Sequence, residues 1–253
     1  MMRIREFIRG LTIAGLSFLA PTMAAAGEAR IAVASNFKPA MDALEKAFEE
    51  ETGHALIVTS GATGKLYAQI INGAPFDIFM AADEARPRLL EENGLAVMGS
   101  RRTYALGRLV LWRPAGGPIS ADLLRQGRYR RLAIANPDLA PYGAAAMDTL
   151  SYLGAAQSAE NKLVFGENIG QAFAFVQTGN ADLGLVALSQ LHDIAGLTPD
   201  TLWAVPEEMH GSIRQDAVLL KRGGENRAAL AFMVYLSGAE AAAITARFGY
   251  KAE

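Results

Sequence analysis

Ala29-Arg30-Ile31-Ala32-Val33-Ala34-Ser35-Asn36-Phe37-Lys38-Pro39-Ala40-Met41-Asp42-Ala43-Leu44-Glu45-Lys46-Ala47-Phe48 is the stretch on which the fold turns. Ala29 to Val33 reads as a short apolar strand, and Ser35-Asn36 as a polar junction. From Phe37 to Glu50, the residues Phe37, Met41, Leu44 and Phe48 recur at helical spacing until Gly53 closes the helix. Strand, small polar loop and amphipathic helix make one unit of an α/β protein. The same unit repeats downstream. Leu56 to Thr59 leads through Gly61-Ala62-Thr63-Gly64 into a helix from Leu66 to Ile71, stopped by Gly73 and Pro75; Phe76 to Ala81 leads to Asp83 as N-cap of a helix ending at Gly94. Such alternation implies a mostly parallel sheet with helices on both faces.

A second set of units begins after Tyr104. Leu109 to Trp112, Leu132 to Ala135 and Leu183 to Leu188 are apolar runs suited to buried strands, whereas Gly143 to Leu153 and Ile169 to Gln177 read as helices. Two doubly wound α/β lobes joined by two crossover strands result, with crossings near Ala105 to Arg108 and Gln215 to Ala217. Residues 27–106 and 217–253 form the first lobe and 107–216 the second. The closing helices, Asn226 to Leu236 and Gly238 to Phe248, return to the first lobe. One continuous doubly wound sheet is the rival arrangement.

The 253 residues are 51% hydrophobic and 20% charged, enough to bury one large core or two modest ones. Residues 1–26 read differently: Arg3, Arg5 and Arg9 precede an apolar run from Leu11 to Ala20, then Pro21 and Met23-Ala24-Ala25-Ala26. That pattern predicts a secretory signal peptide cleaved after Ala26, hence an exported protein; the run is about half of what a membrane-spanning helix needs. Its loss shifts the net charge from −2 to −4, and no run of one sign offers a footprint for nucleic acid. Absence of cysteine removes disulfides, thiolate metal sites and cysteine nucleophiles together.

Catalytic signatures are missing. Gly61-Ala62-Thr63-Gly64-Lys65 resembles part of a P-loop, but Thr59 replaces the first glycine and Leu66 the Mg²⁺-binding hydroxyl residue. His54, His192 and His210 have no metal-ligand spacing, no serine elbow is present, and acidic residues such as Glu49-Glu50-Glu51 lie on solvated helix faces. The reading is a non-enzyme without a cofactor.

What remains are four strand-to-helix junctions: Ser35-Asn36, Ala62-Thr63-Gly64, Pro141-Tyr142-Gly143 and Asn168-Ile169. In open α/β sheets ligands sit beyond the carboxyl ends of the strands, where helix N-termini present unpaired N–H groups and the positive dipole end. Each junction also has an ordinary reading. Ser35 and Asn36 serve equally as caps, Thr63-Gly64 as a turn, Tyr142 as a loop residue and Ile169 as core.

The combination resembles the periplasmic molybdate-binding proteins of ABC importers. It rests on Val33-Ala34-Ser35-Asn36-Phe37, Thr59 to Ile70, Asn72-Gly73-Ala74-Pro75-Phe76-Asp77-Ile78-Phe79-Met80-Ala81-Ala82-Asp83, Asn136-Pro137, Ala140-Pro141-Tyr142-Gly143, Ala181-Asp182-Leu183-Gly184 and Phe248-Gly249-Tyr250. The resemblance implies a type II periplasmic-binding-protein fold that holds molybdate or tungstate between the lobes and delivers it, as a monomer, to a membrane permease. By position, Ser35 and Thr63 supply hydroxyl and N–H donors, Asn36 matches a family branch with Asn after the hydroxyl residue, and Tyr142 and Ile169 supply backbone N–H donors. Some members place a tyrosine where Ala187 stands, a donor this chain lacks and for which Asn36 is the candidate replacement. A carrier of another tetrahedral oxyanion such as sulfate, or an exported enzyme on the same fold, is the alternative.

Overall fold

The computed structural model describes residues 26–251, so the expected export signal, apart from Ala26, lies outside the described residues. The chain enters the first lobe with β1 (Glu28–Ala34), α1 (Lys38–Thr52), β2 (Ala55–Gly61), α2 (Thr63–Ile71), β3 (Ile78–Met80), α3 (Ala85–Glu92) and β4 (Arg102–Leu106). It crosses to the second lobe, which holds β5 (Leu109–Trp112), α4 (Ala121–Gln126), β6 (Leu132–Ala135), α5 (Pro141–Tyr152), α6 (Ala156–Ala159), β7 (Leu163–Gly166), α7 (Ile169–Gln177), β8 (Leu183–Ala187) and β9 (Leu202–Ala204). β10 (Arg214–Leu219), α8 (Arg227–Tyr235) and α9 (Ala239–Arg247) then rejoin the first.

Two five-stranded sheets follow one plan, β2-β1-β3-β10-β4 and β7-β6-β8-β5-β9. In each, the fourth strand is antiparallel to both neighbours: β10 against β3 and β4, β5 against β8 and β9. Those two are the strands that have just crossed over, which explains why neither sheet is wholly parallel. The second crossing differs from the expectation. Passage occurs between Ala204 and Arg214, so Arg214, Gln215 and Asp216, assigned from the sequence to the second lobe, pair in the first sheet. Arg214 and the buried polar Gln215 and Asp216 interrupt the apolar signal of β10, so the strand reads as if it starts three residues late.

The sheet's pleat sorts side chains to opposite faces. Ile31, Val33, Ile78, Met80, Ala217 and Leu219 face α1, α8 and α9, packing on Met41, Leu44, Phe48 and Phe232. Ala32, Phe79, Ala81 and Val218 face the other way, onto Leu66 of α2 and Leu90 of α3. Register keeps these rows aligned: Ile31 opposes Ile78, and Leu219 opposes Ile78 from the other side. Both faces are therefore covered, as a strand apolar on successive residues requires. α1 ends at Gly53, whose φ of 71° favours glycine.

Asp77, in the most distinctive block of the sequence, is structural. It is 3% exposed, and its Oδ2 accepts the Arg30 N–H at 2.8 Å and Asn226 Nδ2 at 3.2 Å. Arg222 Nε lies 3.3 Å from its Oδ1. One carboxylate thus fastens β1 to the turn before α8, and Gly223 must be glycine-sized because a Cβ would meet the Asp77 carbonyl at 2.5 Å. Asp83 is not the N-cap position of α3, which falls on Glu84. Its carboxylate still takes the Arg86 N–H at 2.9 Å, doing a cap's work one residue earlier.

Candidate functional site

Four helical N-termini face the seam between the lobes. Ser35 opens a short 3₁₀ turn leading into α1, Thr63 opens α2, Pro141 opens α5 and Ile169 opens α7. The first N–H groups of a helix find no partner inside it. Side-chain caps usually take some of them. Here the cap positions of the first three are Ala34, Ala62 and Ala140, none of which makes a side-chain cap bond. The fourth cap, Asn168, accepts the Gln171 N–H at 3.0 Å, a donor one turn further in. N–H groups at the junctions are thereby left for a ligand, and the dipoles present positive ends to the same seam.

The five candidates are drawn together by bonds between lobes. The Gly170 N–H, next to Ile169, points at Ser35 Oγ at 3.3 Å. The Gly64 N–H, next to Thr63, donates to the Leu139 carbonyl at 2.8 Å, just ahead of Tyr142. Lys65 and Glu167 pair across the same seam at 2.7 Å. Ser35 is half-buried, whereas Asn36, Thr63, Tyr142 and Ile169 are buried. A groove of about 560 Å³ opens onto Ser35, Ser60, Asn168 and Gly170, and another of about 470 Å³ reaches Ala82, Pro141 and Ala145.

Hydroxyl orientation is constrained at Thr63. Its Oγ1 accepts the Ala82 N–H at 3.1 Å, so its own proton is free to point elsewhere. Asn36 behaves differently from the expectation. Its carboxamide Nδ2 donates to Gln215 Oε1 at 2.8 Å and to Tyr250 Oη at 2.9 Å, which uses both hydrogens. That side chain is a node of a buried network rather than a spare donor, so it does not stand in for the donor lacking at Ala187. The Ala187 N–H itself is taken by Gln190 Oε1 at 3.1 Å.

The network behind the seam is neutral. Gln215 Oε1 also receives Tyr104 Oη at 3.1 Å, and its Nε2 faces Tyr142 Oη at 3.5 Å. Burial pushes the hydroxyls of Tyr104, Tyr142 and Tyr250 well above their ordinary value near 10. Gly107, on the first crossing, is packed so closely that a Cβ would meet Tyr142 Oη at 2.3 Å. Near the junctions the guanidinium of Arg86 is committed to Asp83 at 2.5 Å.

The histidines take other roles. His54 Nδ1 accepts the Gly27 N–H at 2.9 Å, His192 packs at a tilt against Phe248, and His210 lies against the Gly211 carbonyl. Residues that the sequence does not flag as site-forming are Gly170, Ser189 and Gln215; Gly64 is marked only as part of its junction, and Tyr250 without a role. The polar pair Gln215-Asp216 leading straight into the apolar run from Ala217 to Leu220 is the legible clue to Gln215.

Comparison with known proteins agrees with this fold. Residues 29–251 match the model of the family described as bacterial extracellular solute-binding protein. The chain is 46% identical over 229 residues to the molybdate-binding protein ModA of Azotobacter vinelandii, covering 90% of this chain and 91% of the relative. It is 44% identical over 237 residues to the ModA of Rhodobacter capsulatus, covering 91% and 90%. A solved structure of the Azotobacter vinelandii periplasmic molybdate-binding protein superposes with a TM-score of 0.84 at 38% identity, over 89% of this chain and 99% of that one.

Proposed function

The chain belongs to the family of bacterial extracellular solute-binding proteins, and from that premise we propose that it captures molybdate, and with it tungstate, between its two lobes and hands it to the membrane permease of an ABC importer. The observation that carries the reading is the set of helix N-termini with alanine caps, aimed from both lobes at one seam. Similarity at 46% and 44% to two molybdate-binding proteins supports the choice of ligand.

On this reading the donors are the Ser35 and Thr63 hydroxyls and the N–H groups of Asn36, Thr63, Tyr142 and Ile169. Asn36 contributes through its backbone, since its carboxamide is engaged elsewhere. A dianion with no proton to give suits a shell of donors, and bonds to a charged acceptor contribute about 1.5–3 kcal/mol each. Neutral donors keep binding reversible. No lysine or arginine has to be dragged from the ligand when the permease empties the cleft. Size separates molybdate from sulfate, because both are tetrahedral dianions; protonated phosphate needs an acceptor that a shell of donors does not offer.

Mechanistically, the first-lobe donors meet the anion in the open state. Closure then adds the N–H groups of α5 and α7, and the bonds Gly64 to Leu139 and Gly170 to Ser35 hold the halves together. The oxyanion is cargo, and no resident cofactor is invoked. We place the working protein outside the cytoplasm, freed from its export signal after Ala26, as a monomer.

Melting scans with molybdate, tungstate, sulfate and phosphate test the proposal. Stabilisation of about 2.7 kcal/mol is expected from molybdate at a hundredfold excess over Kd. A shift with sulfate and none with molybdate would overturn it.

A further inference from the structure

Three buried polar side chains meet behind the seam from distant parts of the chain. Asn36 stands at the head of the first helix, Ser189 in the 3₁₀ turn Leu188–Leu191 after β8, and Tyr250 in the C-terminal tail. They are 1%, 2% and 5% exposed. Asn36 Nδ2 donates to Tyr250 Oη at 2.9 Å, Tyr250 Oη lies 3.0 Å from Ser189 Oγ, and Ser189 Oγ donates to the Asn36 carbonyl at 2.8 Å.

The three side chains close a ring: Ser189 gives its single hydrogen to the Asn36 carbonyl, Asn36 Nδ2 gives one to Tyr250, and the tyrosine hydrogen has Ser189 Oγ at 3.0 Å and the Asn36 carbonyl at 2.9 Å as acceptors. Two members are anchored in the first lobe. Tyr250 is fixed there by the backbone pair of Leu106 with Lys251, and only Ser189 comes from the second. The Asn36 carbonyl also lies 2.9 Å from Tyr250 Oη, so without Ser189 the tyrosine has an acceptor within its own lobe. Removing the serine oxygen therefore breaks the tie between lobes and leaves no buried donor of the first lobe orphaned.

We propose that Ser189 is a positioning residue that binds the second lobe to the Asn36 junction in the closed state and so sets how long the oxyanion is retained. The inference rests on the oxyanion reading above. Contact with the ligand is not required of it.

Stopped-flow release of molybdate from the full mature chain, with a ligand-free melt of each variant, tests this. Ser189→Ala is expected to speed dissociation about tenfold while association stays within about twofold and the ligand-free melting temperature barely moves. Tyr250→Phe opens the same ring from the other side, so the double variant should release molybdate no faster than the faster single one. An unchanged release rate in Ser189→Ala overturns the proposal. So does a lowered ligand-free melting temperature that alone accounts for the weaker binding, since that marks plain packing. A wild-type protein that ignores molybdate overturns the ligand reading along with this one, whereas normal wild-type binding with an indifferent Ser189→Ala overturns this one alone.

Discussion

The backbone N–H of Gly64 meets the carbonyl of Leu139 at 2.8 Å, joining the first lobe to the second beside the Thr63 and Tyr142 junctions. A Cβ at position 64 would come within 3.1 Å of that carbonyl oxygen and 3.2 Å of Arg86 Nη2. Gly64→Ala is therefore a wedge at the seam. It should weaken molybdate binding by about 1–3 kcal/mol, the usual cost of overpacking, while the ligand-free protein, free to stay open, melts near the wild-type temperature. Calorimetric titration with a parallel melt checks both halves; equal losses in the two would show that the glycine serves the fold of one lobe.

Thr63 offers a sharper test of the donor shell. Its hydroxyl accepts the buried Ala82 N–H at 3.1 Å. Thr63→Ser keeps the oxygen and should bind within a few-fold of wild type. Thr63→Val keeps the shape but removes both the donor to the ligand and the acceptor for Ala82, so affinity and stability should each fall by about 1–3 kcal/mol. Ile169→Val, whose contribution to the ligand is a backbone N–H, should leave affinity near wild type and cost only about 0.5–1.5 kcal/mol of stability, as trimming a buried isoleucine does. If Thr63→Val binds molybdate as the parent does, the threonine is a turn residue only.

Much of this site was legible because α/β folds put ligands where strands end and helices begin. Leu109–Trp112, Leu132–Ala135 and Ile169–Gln177 fall where their apolar runs and spacing place them, since a strand or helix buried over its whole length declares itself in composition. β7 was missed because it is a short edge strand with Phe165 exposed, and β9 because only three residues pair. The four junctions could be found by residue type. What could not be found was the commitment of the Asn36 side chain, because Gln215 and Tyr250 lie 179 and 214 residues away and nothing local marks the pairing. Asp77 shows the reverse error to guard against: the most recognisable block of the chain encodes a buried staple for β1 and α8, not a ligand contact.

Asp77→Ala accordingly tests stability rather than binding. Loss of the carboxylate leaves the Arg30 N–H without its acceptor and strips Asn226 Nδ2 of one partner, with Arg222 alongside. A fall of about 2–4 kcal/mol in unfolding free energy is expected by denaturant titration. Molybdate affinity of the folded fraction should match wild type, because no donor of the cleft is touched.

The three buried tyrosines set a prediction in alkali. Burial raises the hydroxyls of Tyr104, Tyr142 and Tyr250 above the value near 10 that they have in an unfolded chain. Between those two values the unfolded state has lost protons that the folded state keeps, so stability is full below about pH 10 and declines as pH climbs beyond it. Across a series from pH 8 to 11, denaturant midpoints should stay level on account of these groups up to about pH 10 and drop beyond it, and Tyr250→Phe should blunt the drop. An identical alkaline decline in that variant would assign the effect elsewhere.

Lys65 and Glu167 pair across the seam at 2.7 Å, but their side chains are 50% and 47% exposed. Such pairs contribute about 0.2–1 kcal/mol and are screened by salt. Lys65→Ala should therefore speed molybdate release by no more than about fivefold at low ionic strength, and the difference from wild type should vanish near 0.5 M salt, where the Debye length shrinks to about 4 Å. Glu167→Gln should give the same modest change, and the double variant no further one. A loss of a hundredfold or more, indifferent to salt, would move Lys65 from the rim into the cleft and make its ammonium a direct partner of the anion, in conflict with a shell of neutral donors.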